Sequence, residues 1–295
     1  MNLVSIAEQT TNTADRPAQP WFARLDLEFT AQAKRTVLSH CQHVGPLRVQ
    51  RSFYPEGEAV THTYVLHPPG GVASADVLVT RVTLQRGAQA LLTSPGAMKL
   101  YRSDTAATAS IQCRLRVAEN ASLEWFPAET LIFDGAQVAI DNDIQLDVGA
   151  QFIGWDIQCF GRPTLNETFR RGSFDQTTRL RRGTQTLLFE RIRLGHDKSW
   201  LQTPWGAANH PVVATLIATA ADAKLGADAL AAARGAVAPC ANSLFAVSLN
   251  RGNVLIARYL GNSTEAARDT FVRLWESIRP LLLARAPCPP RIWKT

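Results

Sequence analysis

The 295-residue chain has little charge: Asp, Glu, Lys and Arg together make up 19% of it, and the net charge is only +6. No long Lys/Arg run exists, so an electrostatic footprint for nucleic acid is missing. An apolar share of 46% excludes a disordered or collagenous chain. The five cysteines, Cys41, Cys113, Cys159, Cys240 and Cys288, form no C-x-x-C and are odd in number. That excludes a closed disulfide framework and points to the reducing cytoplasm. The longest uncharged stretch, Ser199 to Ala221, is broken by Pro204, Asn209, His210 and Pro211, so no membrane span is expected. The first 20 residues carry neither a basic start nor an apolar core of signal-peptide length and read as a mobile tail. Phosphate-cradling and common hydrolase motifs are absent: there is no G-x-x-x-x-G-K-[ST], no H-E-x-x-H and no G-x-S-x-G.

What is present is period two. From Trp21 to about Arg193, apolar residues alternate in short runs such as Leu115/Val117, Ile144/Leu146/Val148 and Ile153/Trp155/Ile157. Gly and Pro punctuate these runs, so a body over residues 21–210 is expected to be nearly all strand. Gly87-Ala88-Gln89, Asn120-Ala121-Ser122, Gly135-Ala136-Gln137 and Gly149-Ala150-Gln151 each separate two apolar strands. A residue tolerant of positive φ followed by a small one suits either the corners of a layered, partly helical β-stack or ordinary hairpin turns. Beyond Pro211 a C-terminal block over residues 211–295 reads β-α-β-β-α. It comprises a strand at Val212 to Thr219, an alanine-rich helix from Asp222 to Val237, a hairpin around Asn250 to Asn253, and a final helix capped by Ser263 or Thr264. The apolar stripe of that helix reads as core, with Phe271 and Trp275 as candidates for a partner surface. The fold class is therefore mainly β, a stack of many short strands carrying a small α/β block.

Candidate chemistry lies in the acids. Glu124 and Glu129 bracket Trp125-Phe126-Pro127, while Asp134, Asp156 and Glu167 also neighbour apolar or aromatic residues; a set of acids inside a β body offers oxygen ligands to a divalent cation. Asp141, Asp143 and Asp147 share a strand face opposite Ile140 and Ile144 and are expected to face water. His40, Cys41 and His43 hold ligand-type side chains, but alternation along a strand stops all three from converging. Between Arg162 and Arg193 eight arginines face Glu167, Asp175 and Glu190, a local excess of +5. Such a run is a solvated face or, through residues such as Arg170 and Arg171, a docking surface for an acidic protein. Another reading is a β-stacked polysaccharide-acting enzyme with Glu124 and Glu129 as acid and base. Positions five apart on one strand face opposite sides, which argues against that pairing.

Six blocks, in order, carry a resemblance: GPLRVQRSFYPEG from Gly45, LHPPGG from Leu66, LLTSPGAMKLYRS from Leu91, LEWFPAETLIFDGA from Leu123, GWDIQCFGR from Gly154 and PRIW from Pro290. Together they resemble the urease accessory protein family UreD, also called UreH. The resemblance implies a non-enzymatic, cytoplasmic maturation factor that binds apo-urease. With the helical protein UreF and, indirectly, the GTPase UreG, it would deliver nickel, in an accessory complex built as a dimer of heteromers. It implies internal tunnels, and by position it places Thr93, Ser94, Glu124, Glu129 and Glu167 along the route, followed by Asp134 and Asp156. No tightly bound cofactor is expected, only transient Ni2+. Weak, spaced oxygen donors suit an ion in transit better than a closed thiolate and imidazole shell.

Overall fold

The structure, a computed structural model, describes residues 21–237 and 242–294. The tail expected over residues 1–20 and Cys240 lie outside the described residues.

Strand Phe22–Gln32 shows how alternation builds the body. Ala23, Leu25, Leu27 and Phe29 are buried while Arg24, Asp26, Glu28 and Thr30 point the other way. Four further strands stack on it in parallel, in the order Val77–Leu84, Ala109–Val117, Gln137–Leu146 and Ser173–Arg182. Antiparallel partners Arg35–Val44 and Gln185–Leu194 close the two ends of this sheet. Opposite it, Val60–Leu66, Gln89–Thr93, Ser122–Phe126 and Gln151–Arg162 form a second parallel stack. A third, narrow face holds Gly71–Val72, Met98–Leu100 and Thr130–Ile132, the last lying beside the far half of Gln151–Arg162.

The chain therefore coils. It passes from Val77–Leu84 to Gln89–Thr93 and Met98–Leu100, then one layer on through Ala109–Val117, Ser122–Phe126 and Thr130–Ile132. The layered, partly helical stack is the observed architecture, and the repeated tripeptides are its corners rather than hairpin turns. Gly87, Asn120 and Gly149 stack at one corner with φ near +71, +56 and +70°. Ala88, Ala121 and Ala150 are buried beneath them, where Ser122 N donates to Ala88 O (2.9 Å) and Gln151 N to Ala121 O (2.9 Å). Gly149 must be glycine on two counts, since a Cβ there would fall 2.3 Å from Asn120 Oδ1 as well as strain a left-handed backbone. Gly135 sits at a different corner, packed on Arg102 and hydrogen bonded to Arg171 O (3.2 Å). The 14- and 15-residue spacings in the sequence thus mix two corners of one coil.

The second sheet continues past the stack. Val212–Thr219 runs antiparallel to Gln151–Arg162, and Val254–Gly261 and Leu244–Leu249 follow. Helix Ala223–Ala236 is capped by Asp222, whose side chain accepts from Leu225 N, and helix Thr264–Leu283 by Ser263, which accepts from Ala266 N. The longer helix lies on the outer side of this sheet, with Ala267, Phe271, Leu274, Trp275, Ile278 and Leu282 packed against Trp155, Leu216 and Leu255. Phe271 and Trp275 are wholly buried, which corrects their candidacy as a partner surface: their rings form the contact that fastens the helix to the sheet. No helix among the described residues is long and apolar enough to cross a membrane.

Candidate functional site

Two faces of the second sheet separate the buried acids. Along Ser122–Phe126, Leu123 points into the stack while Glu124 and Phe126 point out under the terminal helix. Along Gln151–Arg162 the inward set is Phe152, Gly154, Asp156, Gln158 and Phe160, and Ile153, Trp155, Ile157 and Cys159 face the helix. Position parity alone sends Glu124 and Asp156 to opposite sides of one sheet.

The outward acid is neutralised. Glu124 accepts from Trp275 Nε1 (2.6 Å) and from Arg279 Nε and Nη2 (3.0 and 2.8 Å), with both side chains fully buried. Arg279 also binds Glu56 (2.7 Å), which pairs with His62 Nε2 (2.7 Å). Burial works to raise the Glu56 carboxyl, but hydrogen bonds from His62 and Arg279 and the Arg279 charge outweigh it and hold it down at about 2. Burial likewise acts to lower Arg279, yet Glu124 and Glu56 together raise it. Arg279 also donates to Ala286 O, tying the chain after the helix to the cluster. Farther along that segment, Trp293 Nε1 donates to Thr93 Oγ1 (3.0 Å) within a nest of Phe126, Trp155 and Trp275 rings.

The inward acid has amides for company. Asp156 accepts from Gln158 Nε2 (3.0 Å) and from Gln176 Nε2, and Gln158 also donates to Gln176. Burial pushes the Asp156 carboxyl up, only partly opposed by the two amides. This group faces a cavity of about 420 Å3 inside the coil. Its lining takes residues from each layer in turn: Val65, Leu92, Trp125, Asp156 and Thr215 on one side, Thr80, Cys113, Asn142, Gln176, Thr178 and Glu190 on the other. The cavity therefore runs along the stacking axis as a passage, with Thr80, Gln112, Cys113 and Asn142 lining its middle layers and Asp156, Gln158, Gln176 and Glu190 grouped toward one end. At one end Glu190 meets Arg258, which also donates to Thr215 (2.7 Å). Burial pushes the Cys113 thiol up to about 12, so it faces the passage as a neutral thiol.

Of the candidate route residues, Thr93, Ser94 and Asp156 border this passage; Glu124, Glu129, Asp134 and Glu167 do not. Ser94 Oγ accepts from Ala128 N (2.8 Å), and Thr93 Oγ1 donates to Phe126 O (2.6 Å). Glu129 faces Arg268 at 3.8 Å with its Oε2 buried and without a hydrogen bond. Asp134 accepts from the backbone N of Arg170 (2.8 Å) and Arg171 (2.7 Å) and from the Arg171 guanidinium (2.7 Å). Burial opposes the ionised form of Asp134, but Arg171 and Arg170 hold its carboxyl below the usual range. Glu167 is held down by its hydrogen bond from Arg162 and also accepts from Asp134 N (3.2 Å). Arg170 and Arg171 thus fold the chain around Asp134. On the outer face of the first sheet, Asp141 pairs with Arg114 and Arg179, Asp143 with Arg181 and Asp175 with Arg191. Asp147 is exposed, so this row faces outward as its alternation predicts. Among the described residues no group of three or more His, Cys, Asp or Glu stands ready to hold a metal, His40, Cys41 and His43 included.

Sequence reasoning missed Gln158, Gln176, Thr178 and Glu190. Their signal is a polar residue in an inward row that is otherwise apolar, as with Gln176 between Phe174 and Leu180.

Fold and cavity define a scaffold of one kind, a coiled β-stack that encloses a cavity lined by its successive layers. The chain belongs to the UreD urease accessory protein family, whose model matches residues 22–294. It is 42% identical over 275 residues to urease accessory protein UreD of Dechloromonas aromatica, covering 93% of this chain and 95% of that one. It is also 43% identical over 281 residues to the Azoarcus sp. UreD (94% and 96% covered), and 37% identical over 292 residues to that of Pseudomonas entomophila (99% and 100% covered). These relatives are accessory proteins, not enzymes, and the chain has a role in urease maturation rather than in catalysis of its own.

Proposed function

We propose that the chain passes Ni2+ through its interior into apo-urease, in the cytoplasm and in a complex with UreF and, indirectly, UreG. The observation that carries this reading is Asp156, a carboxyl facing an internal passage with two amides and, among the described residues, no cationic partner. Burial disfavours its charge, so an arriving divalent cation supplies the countercharge it lacks and is bound for as long as it stays. The amide oxygens of Gln158 and Gln176 and the hydroxyls of Thr178 and Ser94 offer further weak oxygen donors, the type a hard or borderline ion accepts without being trapped.

A polysaccharide-acting enzyme gains nothing from the geometry, because Glu124 is spent on Arg279 and Trp275. The test is co-purification of Asp156→Asn with apo-urease and UreF, alongside the nickel content of the urease produced. The complex is expected to persist while nickel content falls; a full complement of nickel would remove the passage from the account.

A further inference from the structure

The first sheet ends on a strand with an open edge. Arg35–Val44 pairs with Phe22–Gln32 on one side, and among the described residues no strand pairs with its other side. Val77 N donates to Trp21 O (2.8 Å) and Gln85 N to Phe29 O (2.8 Å). The odd-numbered residues of Phe22–Gln32 up to Phe29 therefore turn their main-chain groups toward Val77–Leu84, and the even-numbered ones toward Arg35–Val44. Asp26 and Glu28 face Gln42 and His40 in this way, which leaves the N–H and C=O of Cys41 and His43 directed at the free edge. Past a bulge at Ser39 the same edge is already used, since Thr36 N donates to Glu58 O (3.0 Å). The open stretch is short, closed by that bulge on one side and by Pro46 on the other.

Cys41 lies opposite Leu27 and His43 opposite Leu25, so these two share one face of the strand while His40 and Gln42 take the other. Both are exposed. A thiol and an imidazole two residues apart are half of a tetrahedral Cys2His2 shell, and no third ligand joins them among the described residues. A second copy of the strand supplies the other half. Open edges ordinarily carry charges that forbid self-pairing, yet no charged residue lies between Arg35 and Arg48, so two copies meet there without repulsion. Antiparallel pairing centred on Gln42 sets Cys41 of each copy beside His43 of the other and matches the main-chain groups that both residues turn outward. Diagonal neighbours in such a ribbon are about 7–8 Å apart, so the twofold axis passes about 3.5–4 Å from each Cβ. That is within reach of a metal bonded to sulfur at ~2.3 Å and to nitrogen at ~2.0–2.1 Å.

We infer that Cys41 and His43 are half of a zinc site that a second copy of this chain completes, joining the two copies at their free edges. Zinc is the ion that a tetrahedral set of two thiolates and two imidazoles selects. The few main-chain hydrogen bonds of so short a ribbon do not offset the cost of association, so the dimer depends on the ion. The site lies outside the cavity and is independent of the nickel route.

The test takes the untagged full chain in a non-thiol reductant, adds Zn2+ and follows sedimentation and bound metal. The mass is expected to double with one Zn2+ held per two chains, and Co2+ in its place should show the visible bands of a tetrahedral ion with thiolate charge transfer. Both signals should be lost in Cys41→Ser and in His43→Gln, and kept in His40→Gln on the opposite face. These side chains are exposed, so the variants should melt as the parent does. A chain that stays monomeric in Zn2+ overturns the assignment, even where it dimerises once the reductant is removed, because that dimer is a disulfide. A dimer that survives Cys41→Ser or His43→Gln unchanged, or that needs His40, overturns it as well.

Discussion

Glu124 and Asp156 sit on opposite faces of the same sheet, both inside the protein, and differ in what answers their charge. Glu124 meets a guanidinium, an indole N–H and, one step away, a second carboxylate and an imidazole; every element of that cluster ties the terminal helix to the stack. Asp156 meets two neutral amides. A buried acid that carries its own cation is part of the structure, whereas one left with dipoles stays short of countercharge, which is the feature the proposed nickel route rests on.

The largest effect should come from making the first site resemble the second. Arg279→Met leaves Glu124 and Glu56 buried with no guanidinium, and is expected to cost about 3–5 kcal/mol, read as a lower urea midpoint. Glu124→Gln, which keeps an acceptor and leaves Glu56 to pair with Arg279, should cost less. An Arg279→Met variant as stable as the parent would mean the cluster does not hold the helix.

Acid titration probes the same cluster in the unmodified protein. Glu56 has a folded pKa of about 2, below the ordinary carboxylate range, so its contribution is fully present above that range and is lost as pH falls toward 2. The shift corresponds to about 3 kcal/mol. In Glu56→Gln this part of the acid decline should disappear from a stability-against-pH curve.

Asp156 has the opposite sign. Its folded pKa is raised, so the native state favours the protonated form and stability falls as pH climbs through the ordinary carboxylate range toward the folded value. Asp156→Asn is therefore expected to melt no lower than the parent at neutral pH, with the difference shrinking in acid. A large loss of melting temperature would mean that Asp156, like Glu124, is structural.

The smallest effect is expected at the surface. Arg171→Ala removes an exposed guanidinium from Asp134, which keeps two backbone N–H bonds, so the loss should stay under about 1 kcal/mol in chemical denaturation.

Much of this architecture can be read from the chain. Alternation reveals the strands and Asp222 and Ser263 mark both long helices, but the Gly-Ala and Asn-Ala tripeptides fit coil corners and ordinary hairpin turns alike until the strand pairing decides between them. Thr93, Ser94 and Asp156, which border the cavity, can be picked out because they lie in blocks that carry the family resemblance. What cannot be read is pairing at long range: Arg279 and Glu124 are 155 residues apart, and nothing local marks the arginine as the carboxylate's partner. Nor does composition separate Phe271 and Trp275 as core from the same rings as a docking face, since an amphipathic helix looks alike in both settings. Gln158 and Gln176 escape notice because a glutamine on a strand usually faces water; only its parity with buried neighbours places it inside.

The most direct test of the comparison is urease activation in cells carrying Asp156→Asn or Glu124→Gln, with pull-down of the accessory complex and the nickel content of urease measured together. The account predicts that Asp156→Asn keeps the complex and the fold but slows nickel entry about tenfold, the effect of a barrier ~1.4 kcal/mol higher. Glu124→Gln should lose activation only in proportion to the protein lost through instability. Normal activation and nickel content with Asp156→Asn, in an intact complex, would contradict it.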